Sequence, residues 1–300
     1  MIVSCGEALV DLVPDPVPGG GPMNVAVACA RLGVPTAFVG RISTDAHGEA
    51  IWAFLRSNQV DVRACQRGPE PTARAVVEHT PRLRFRFEGN ATAETTLSSV
   101  DMRTLGPGPH ILHGGTLGMF RGRTAETLAR VAERHPGIVS VDPNVRPQII
   151  DDRARWHHYH HRWLATADIY RASDEDLAWI WPGRSGGECA EELLSGNPSV
   201  VFITHGRSGA TVYTPEGELS ADGEAVEVAD EVGAGDTFAA AILASVWKMG
   251  LANAPTRIGD VDMAEWRRVM ERAIAAAAIT CSRSGADPPL FTDLPPELRF

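Results

Sequence analysis

The segment VADEVGAGDTFAAAILASVW, residues 228–247, contains the residues whose types and spacing could do chemistry. Gly233, Ala234 and Gly235 are small enough for a sharp turn and for close approach of a ligand to the backbone. The apolar run after them predicts a helix, whose first N–H groups lack intrahelical partners and lie at the positive end of the helix dipole. The segment therefore predicts an anion-binding turn that suits a phosphate.

Asp236 stands in the first turn of that predicted helix. A carboxylate beside an anion site is unfavourable unless a cation or a proton in transit lies between them. A kinase meets this condition, because a substrate hydroxyl gives its proton to the carboxylate while it attacks the γ-phosphate of ATP, whose charge the amides and Mg²⁺ stabilise. We expect the helix dipole to keep Asp236 ionised, which makes it a weaker base than an ordinary aspartate but one that is ready to accept a proton. The simpler alternative is an aspartate that only caps its helix.

Arginine supplies nearly all of the positive charge, because Lys248 is the only lysine among 28 basic residues. A Walker A loop and a protein kinase each need a lysine on the nucleotide phosphates, and the WKMG context of Lys248 matches neither. Any bound ATP must therefore be held by backbone N–H groups, metal and arginine. A net charge of -10 disfavours a nucleic-acid partner.

The remaining composition is that of an ordinary globular enzyme, with 44% hydrophobic and 22% charged residues. No apolar run approaches the length of a membrane span, and the N-terminus lacks the basic lead of a signal peptide. Five cysteines without a CxxC pair argue against disulfides and structural zinc. We therefore expect a cytoplasmic protein without a membrane partner.

Strand-like and helix-like runs alternate along most of the chain, which predicts a mostly parallel sheet with helices on both faces. We expect the first strand at residues 2–13, then a glycine-rich turn and a helix that ends at Gly33. Short alternating runs between residues 60 and 98 predict an antiparallel insertion that must pack on something, for example as a lid. We expect one α/β domain, residues 1–300, with a small β lid from about 11–19 and 70–98.

Several segments resemble the PfkB-type carbohydrate kinases of the ribokinase-like family. VADEVGAGDTFAAAIL resembles the second signature of that family, and GGGPMNVAVACARLG resembles its sugar-binding loop and helix. Further matches follow in family order and extend over almost the whole chain: VGRISTDAHGE, DPNVRP at 142–147, ITHGRSGA at 203–210 and SRSGA at 282–286. The resemblance implies a ribokinase-like α/β fold and an ATP-dependent sugar kinase. Three segments look most like fructokinases: GGGPMNVAVACARLG, DPNVRP and ASDEDLAWI. Fructose is therefore the first expectation for the acceptor.

The same resemblance implies a role for each matching residue. The base would be Asp236, and the anion hole Gly233, Ala234 and Gly235. The residues that would hold the sugar are Asp11, Gly20, Gly21 and Asn24, with Arg146 near the sugar or the phosphates. The nucleotide would contact Ser173, Asp176, Thr204, Gly206, Gly209, Ala277 and Cys281. Cations would be held by Asp176 for Mg²⁺ through water, and by carbonyls around Asp230 and Val232 for a monovalent ion such as K⁺.

Three departures from the family pattern stand out. The family's NxxE motif reads SDED here, with Ser173 and Asp176 at the matching places, so we expect altered metal affinity rather than lost activity. The segment VGRISTDAHGE lacks the middle glycine of its motif. Residues 11–19 look too short for the lid hairpin strand of many fructokinase-like members, which leaves lid closure and homodimer formation open.

Other interpretations remain beside the fructokinase-like one. Ribose, 2-keto-3-deoxygluconate and nucleosides are alternative acceptors, and a sugar or nucleotide sensor without turnover is an alternative function. An NAD enzyme is disfavoured because GGGPMN lacks the third glycine of a dinucleotide loop. Three features have both a functional and a purely structural interpretation: a metal site or a surface helix at His157 and His161, a cleft or core position for His113, and substrate contact or sheet packing for Phe85, Arg86 and Phe87.

Overall fold

A computed structural model describes residues 1–13, 15–79, 83–89, 91–107 and 110–300. The strands, in chain order, are β1 (Ile2–Cys5), β2 (Leu9–Val13), β3 (Asp15–Gly19), β4 (Thr36–Val39), β5 (Arg41–Ser43), β6 (Gln66–Gly68), β7 (Arg74–His79), β8 (Leu83–Glu88), β9 (Ile111–Gly115), β10 (Val139–Asp142), β11 (Ile169–Ser173), β12 (Val200–Thr204), β13 (Ala210–Thr214) and β14 (Gly217–Ala221). The helices are α1 (Gly21–Arg31), α2 (Ala46–Ser57), α3 (Gly122–Glu133), α4 (Arg153–Leu164), α5 (Asp174–Ile180), α6 (Gly186–Leu194), α7 (Ala234–Lys248) and α8 (Met263–Cys281).

Eight strands form the central sheet in the order β14, β13, β12, β11, β10, β9, β1, β4. The six strands from β12 to β4 are parallel, and β13 and β14 continue the sheet antiparallel at one edge. All residues of β1, β4, β9 and β10 are buried, as expected for parallel strands that are covered on both faces. The predicted mostly parallel sheet is confirmed.

Helices cover both faces of this sheet. On one face α1, α7 and α8 pack against apolar side chains such as Ile111 and Phe202. On the other face α3, α4, α5 and α6 pack against side chains such as Leu112 and Val141. Most of α7 is buried because it packs between α1 and α8, and its run of alanines permits this close packing.

A second sheet of four strands, in the order β3, β2, β7, β8, includes the predicted lid segments. The expected single strand over residues 2–13 is wrong, because the chain leaves β1 at Gly6 and β2 joins this second sheet. The expectation that residues 11–19 are too short for a hairpin strand is also wrong, since β2 and β3 pair antiparallel from Leu9 with Gly19 onwards. Pro16 and Pro18 are tolerated because β3 is an edge strand.

The sheet of four strands also contains the predicted antiparallel pair, formed by β7 and β8. β5 and β6 form a separate parallel pair. Of the helices in the described ranges, none has the length and apolar character that a membrane span requires.

Candidate active site

The predicted anion-binding turn lies at the start of α7. Gly233 has φ 79°, a left-handed conformation, and a Cβ atom built there would lie 2.7 Å from the Cβ of Ala286, so both the backbone and the space require glycine. The Ala234 N–H makes only a 3.3 Å bond to the Glu231 carbonyl. Within the described ranges the N–H groups of Gly235 and Asp236 have no backbone partner. The turn thus presents unpaired donors at a helix N-terminus.

Two cavities meet at this turn. Gly233 and Asp236 border a small cavity of about 60 Å³. Ala234 and Gly235 border a larger one of about 490 Å³. The turn is therefore the wall between two binding spaces.

The small cavity brings together all the residues predicted to hold the sugar. The site residues predicted from the sequence that line this cavity are Asp11, Gly20, Gly21, Asn24, Arg146, Gly233 and Asp236. The Asn24 side chain donates a hydrogen bond of 2.8 Å from Nδ2 to Oδ2 of Asp236. This bond joins the Asp236 carboxylate to another helix, and among the described residues no hydrogen bond from the backbone of its own helix to that carboxylate is found. The capping alternative for Asp236 is therefore wrong.

Two glycines let the backbone approach these carboxylates. A Cβ atom built on Gly21 would lie 2.7 Å from the Thr116 hydroxyl and 3.4 Å from Oδ1 of Asp236. A Cβ atom on Gly19 would overlap the Asp11 carboxylate, at 2.0 Å from its Oδ2. Any side chain at these two positions would fill the space next to the acidic groups.

Burial dominates the charge state of both carboxylates. It raises the pKa of Asp236, and the hydrogen bond from Asn24 together with the charges of Arg146 and Arg171 offsets only part of this effect. Burial, assisted by the nearby charge of Asp236, raises the pKa of Asp11 to about 7. The expectation of a weaker base from the helix dipole is wrong in direction, because desolvation of Asp236 outweighs the dipole.

Glu7 is a cavity residue that sequence reasoning missed. It is 1% exposed, and its Oε2 accepts a 2.9 Å hydrogen bond from the Gly118 N–H, while no partner is found for Oε1 among the residues placed. Burial raises the pKa of Glu7 to about 7. Its position two residues after the buried strand β1 was the available signal. Thr116, which also borders the cavity, carried no sequence signal, whereas Asn144 lies in the DPNVRP motif but was given no role of its own.

Glu7 should make the stability of the free protein depend on pH. Its pKa is raised from 4.5 to about 7 on folding, so folding favours the protonated form, and the stability it contributes is lost as the pH rises through this window. We expect the unfolding free energy of the Glu7→Gln variant to fall less between pH 5 and pH 8 than that of the parent chain, by up to about 3 kcal/mol. Urea titrations at both pH values measure this difference.

The exposed Glu175→Gln substitution is the matched control and should leave the pH dependence unchanged. Equal slopes for the parent chain and Glu7→Gln would show that Glu7 is already ionised in the folded protein at pH 5.

The larger cavity contains five of the seven residues predicted to contact the nucleotide: Thr204, Gly206, Gly209, Ala277 and Cys281. Ser173 and Asp176 are not among its lining residues. Ser173 caps α5 and forms a capping box with Asp176, whose Oδ1 also accepts a 2.6 Å bond from the Val145 N–H. The SDED segment therefore connects the start of α5 to the loop that contains Val145. The structure does not place it on the wall of the larger cavity.

Arg171 is the second residue that sequence reasoning missed. Its Nη1 donates to Oδ2 of Asp142 at 2.9 Å and its Nη2 donates to the Thr204 hydroxyl at 2.7 Å. Burial raises the pKa of Asp142 to about 6, and the charge of Arg171 opposes this increase. The general need for an arginine near the phosphates was predicted, but strand position 171 gave no specific signal.

The carbonyl groups that were predicted to hold a monovalent cation lie beside the turn. The Asp230 carboxylate accepts hydrogen bonds from the N–H groups of Val232 and Gly285. No donor to the carbonyl oxygens of Asp230 and Val232 is found in the described ranges. Two carbonyls are thus available beside the turn.

The histidines have structural surroundings. His113 is buried, lies 3.2 Å from the Ser140 hydroxyl and has its pKa lowered to about 3 by burial, which makes it a core residue. His157 and His161 lie on α4, and no group of three or more His, Cys, Asp or Glu that could hold a metal occurs in the described part of the chain. Phe87 borders the small cavity, and the side chain of Phe85 lies outside the described residues.

Comparisons with known proteins show what this chain is similar to. A model of the pfkB family of carbohydrate kinases matches residues 15–293. A fructokinase from Rhizobium leguminosarum bv. trifolii is 35% identical over 82% of this chain and 79% of its own length. The fructokinase from Vibrio cholerae O395 bound to fructose, ADP and calcium ion has a TM-score of 0.82 and 27% identity, over 95% of this chain and 94% of its own.

A third comparison concerns the fold alone. The ATP-bound fructokinase from Xylella fastidiosa has a TM-score of 0.84 at 24% identity, over 98% of this chain and 94% of its own. The predicted ribokinase-like α/β fold is confirmed.

Proposed function

Because this chain belongs to the pfkB family of carbohydrate kinases, we propose that it transfers the γ-phosphate of ATP to a hydroxyl group of fructose. The chain is an ATP-dependent sugar kinase, a phosphotransferase with an alcohol acceptor. One observation carries the assignment of its site: the turn at residues 233–236 separates a small cavity with acidic walls from a larger one that is lined by five of the seven predicted nucleotide residues. The transferred phosphoryl group would pass at this turn from the nucleotide in the larger cavity to the sugar in the small one.

The sugar occupies the small cavity in this proposal. Asp11 and Asn24 hold its hydroxyl groups, Gly20 and Gly21 let it approach the backbone, and Arg146 lies on the same wall. A cavity of about 60 Å³ leaves little room for a hexose, so the sheet of β2, β3, β7 and β8 moves outward as a lid to admit it. The cavity borders Ala75 and Phe87 of that sheet.

Asp236 acts as the general base. A sugar hydroxyl oxygen attacks the γ-phosphorus, the bond from phosphorus to the β,γ-bridging oxygen breaks, and the hydroxyl proton passes to Asp236 as ADP leaves. The raised pKa of Asp236 makes it a better proton acceptor than an exposed aspartate. The amides at Gly233, Ala234, Gly235 and Asp236 stabilise the charge on the transferred phosphoryl group.

A hydrated Mg²⁺ ion that arrives with ATP fits the acidic groups near the turn. The described residues offer no cluster for direct coordination, whereas Oδ1 of Asp142 is buried without a partner and Asp176 lies close enough to influence the same arginine. Asp142 would hold the ion through its water molecules, whereas both oxygens of Asp176, the residue predicted for this role, already accept hydrogen bonds from Val145 and Ser173. Bound there, Mg²⁺ would offset negative charge on the phosphates. The carbonyls of Asp230 and Val232 would hold K⁺.

A panel of acceptors tests the substrate. We expect ADP release with the highest kcat/KM for fructose among fructose, ribose, 2-keto-3-deoxygluconate and a nucleoside, because the motifs resemble fructokinases and the relatives described above are fructokinases. Turnover of the nucleoside alone would contradict the assignment of a sugar acceptor. If the protein binds fructose and ATP but releases no ADP with any acceptor, the result would favour the alternative function of a sensor without turnover. The SDED segment motivates this alternative.

The cytoplasmic location stays a prediction of the sequence, and homodimer formation is a question that the sequence leaves open. Size-exclusion chromatography with light scattering measures the oligomeric state directly.

A further inference from the structure

Arg171 is a buried cation in the middle of strand β11. It is 7% exposed, and it projects between Asp142 at the end of β10 and Thr204 at the end of β12. A guanidinium group has five N–H donors, of which one is bonded to Asp142 and one to Thr204. No partner is found for its Nε in the part of the chain that is placed. Donors therefore remain after its protein contacts are made.

The electrostatic surroundings hold Arg171 in its charged form. Burial alone would lower its pKa, but the carboxylates of Asp142, Asp176 and Asp236 raise it above the ordinary value. Only Asp142 is in hydrogen-bond contact. The charge of Arg171 is thus balanced by carboxylates, but a buried donor without an acceptor is unfavourable, so a ligand oxygen that accepts from the remaining N–H groups would complete this site.

The position of Arg171 indicates which partner that is. Its side chain borders the larger cavity, and both Nη atoms would lie 3.1 Å from a Cβ atom built on Gly235. The guanidinium group therefore lies against the turn that presents the unpaired N–H groups of Gly235 and Asp236. Glycine at position 235 leaves the space above the guanidinium group open.

We propose that Arg171 contacts the phosphate chain of the bound nucleotide. This proposal rests on the proposed function only for the identity of the phosphate donor. Arg146 lines the small cavity instead, and Arg207, the other arginine on the larger cavity wall, is exposed. In a chain with a single lysine, Arg171 thus supplies the buried positive charge on the nucleotide side of the turn.

Binding measurements test this contact without depending on turnover. We expect the Arg171→Met variant to bind ADP roughly 10- to 100-fold more weakly by calorimetry, because it loses a charge-assisted hydrogen bond. Its affinity for adenosine, which has no phosphate, should stay unchanged. The Arg171→Lys variant keeps the charge but not the planar donors. Its affinity for ADP should lie between those of the parent chain and Arg171→Met. Equal ADP affinity in Arg171→Met and the parent chain would overturn the proposal.

A second variant separates phosphate contact from a structural role. If Arg171 only neutralises Asp142, the double variant Asp142→Asn with Arg171→Met should bind ADP as tightly as Asp142→Asn alone, and this result would overturn the proposal. If Arg171 contacts phosphate, the double variant should bind ADP more weakly than Asp142→Asn alone and should bind adenosine with the same affinity. This comparison also decides the matter if the lone Asp142 charge prevents Arg171→Met from folding.

The two proposals fail separately. Absence of turnover with fructose would remove the proposed acceptor and leave the contrast between ADP and adenosine intact. Turnover with undiminished ADP affinity in the variants would remove the role of Arg171 and leave the kinase.

Discussion

Replacing Asp236 with asparagine is expected to lower kcat for fructose phosphorylation by roughly 10²- to 10⁴-fold, the usual contribution of a general base. Asparagine cannot accept the hydroxyl proton, but it keeps the shape of the side chain and an oxygen for the 2.8 Å bond from Asn24. Fructose and ADP affinities should therefore change little. Coupled assays of ADP release give kcat, and calorimetry gives the two affinities.

The Asp151→Asn substitution is the matched control for this experiment, because it removes an exposed carboxylate outside both cavities. It should leave kcat and both affinities unchanged. A fully active Asp236→Asn enzyme would show that another group accepts the proton, and equal losses of kcat and fructose affinity would indicate a binding role instead.

Replacing Asp11 with asparagine is expected to raise the KM for fructose by roughly 10- to 100-fold, the effect of weakening a charged hydrogen bond to a substrate hydroxyl. The same change should stabilise the free protein at pH 8. Its pKa is raised from 3.8 to about 7 in the folded chain, so its charge above pH 7 opposes folding, and the benefit should disappear near pH 4. Kinetics and thermal unfolding at both pH values measure these effects.

Asp15→Asn is the control within the same hairpin, because Asp15 is exposed on β3. It should change neither KM nor the pH dependence of stability. A loss of stability at pH 8 in Asp11→Asn, or an unchanged KM, would show that Asp11 supports the fold rather than the substrate.

The sequence predicted the site where local chemistry determines local structure. The GAGD turn, its helix and the grouping of Asp11, Asn24 and Asp236 follow from small residues, an apolar run and family-like spacing. The alternating pattern likewise predicted the parallel sheet, because buried parallel strands are apolar on both faces.

The missed features all depend on how distant segments pack. The raised pKa of Asp236 arises from burial, which opposes the local helix dipole that the sequence shows. Arg171 becomes part of the site only because β10 and β12 flank β11 and Gly235 lies against it. The hairpin of β2 and β3 escaped notice because its prolines discourage a strand unless that strand lies at an edge.

A crystal structure of the protein with fructose and a non-hydrolysable ATP analogue tests the central claim most directly. The account predicts one fructose hydroxyl oxygen within hydrogen-bonding distance, about 3 Å, of an Asp236 carboxylate oxygen. The same oxygen should face the terminal phosphate, which should lie on the N–H groups of Gly235 and Asp236. A sugar bound away from Asp236, or a terminal phosphate away from that turn, would contradict it.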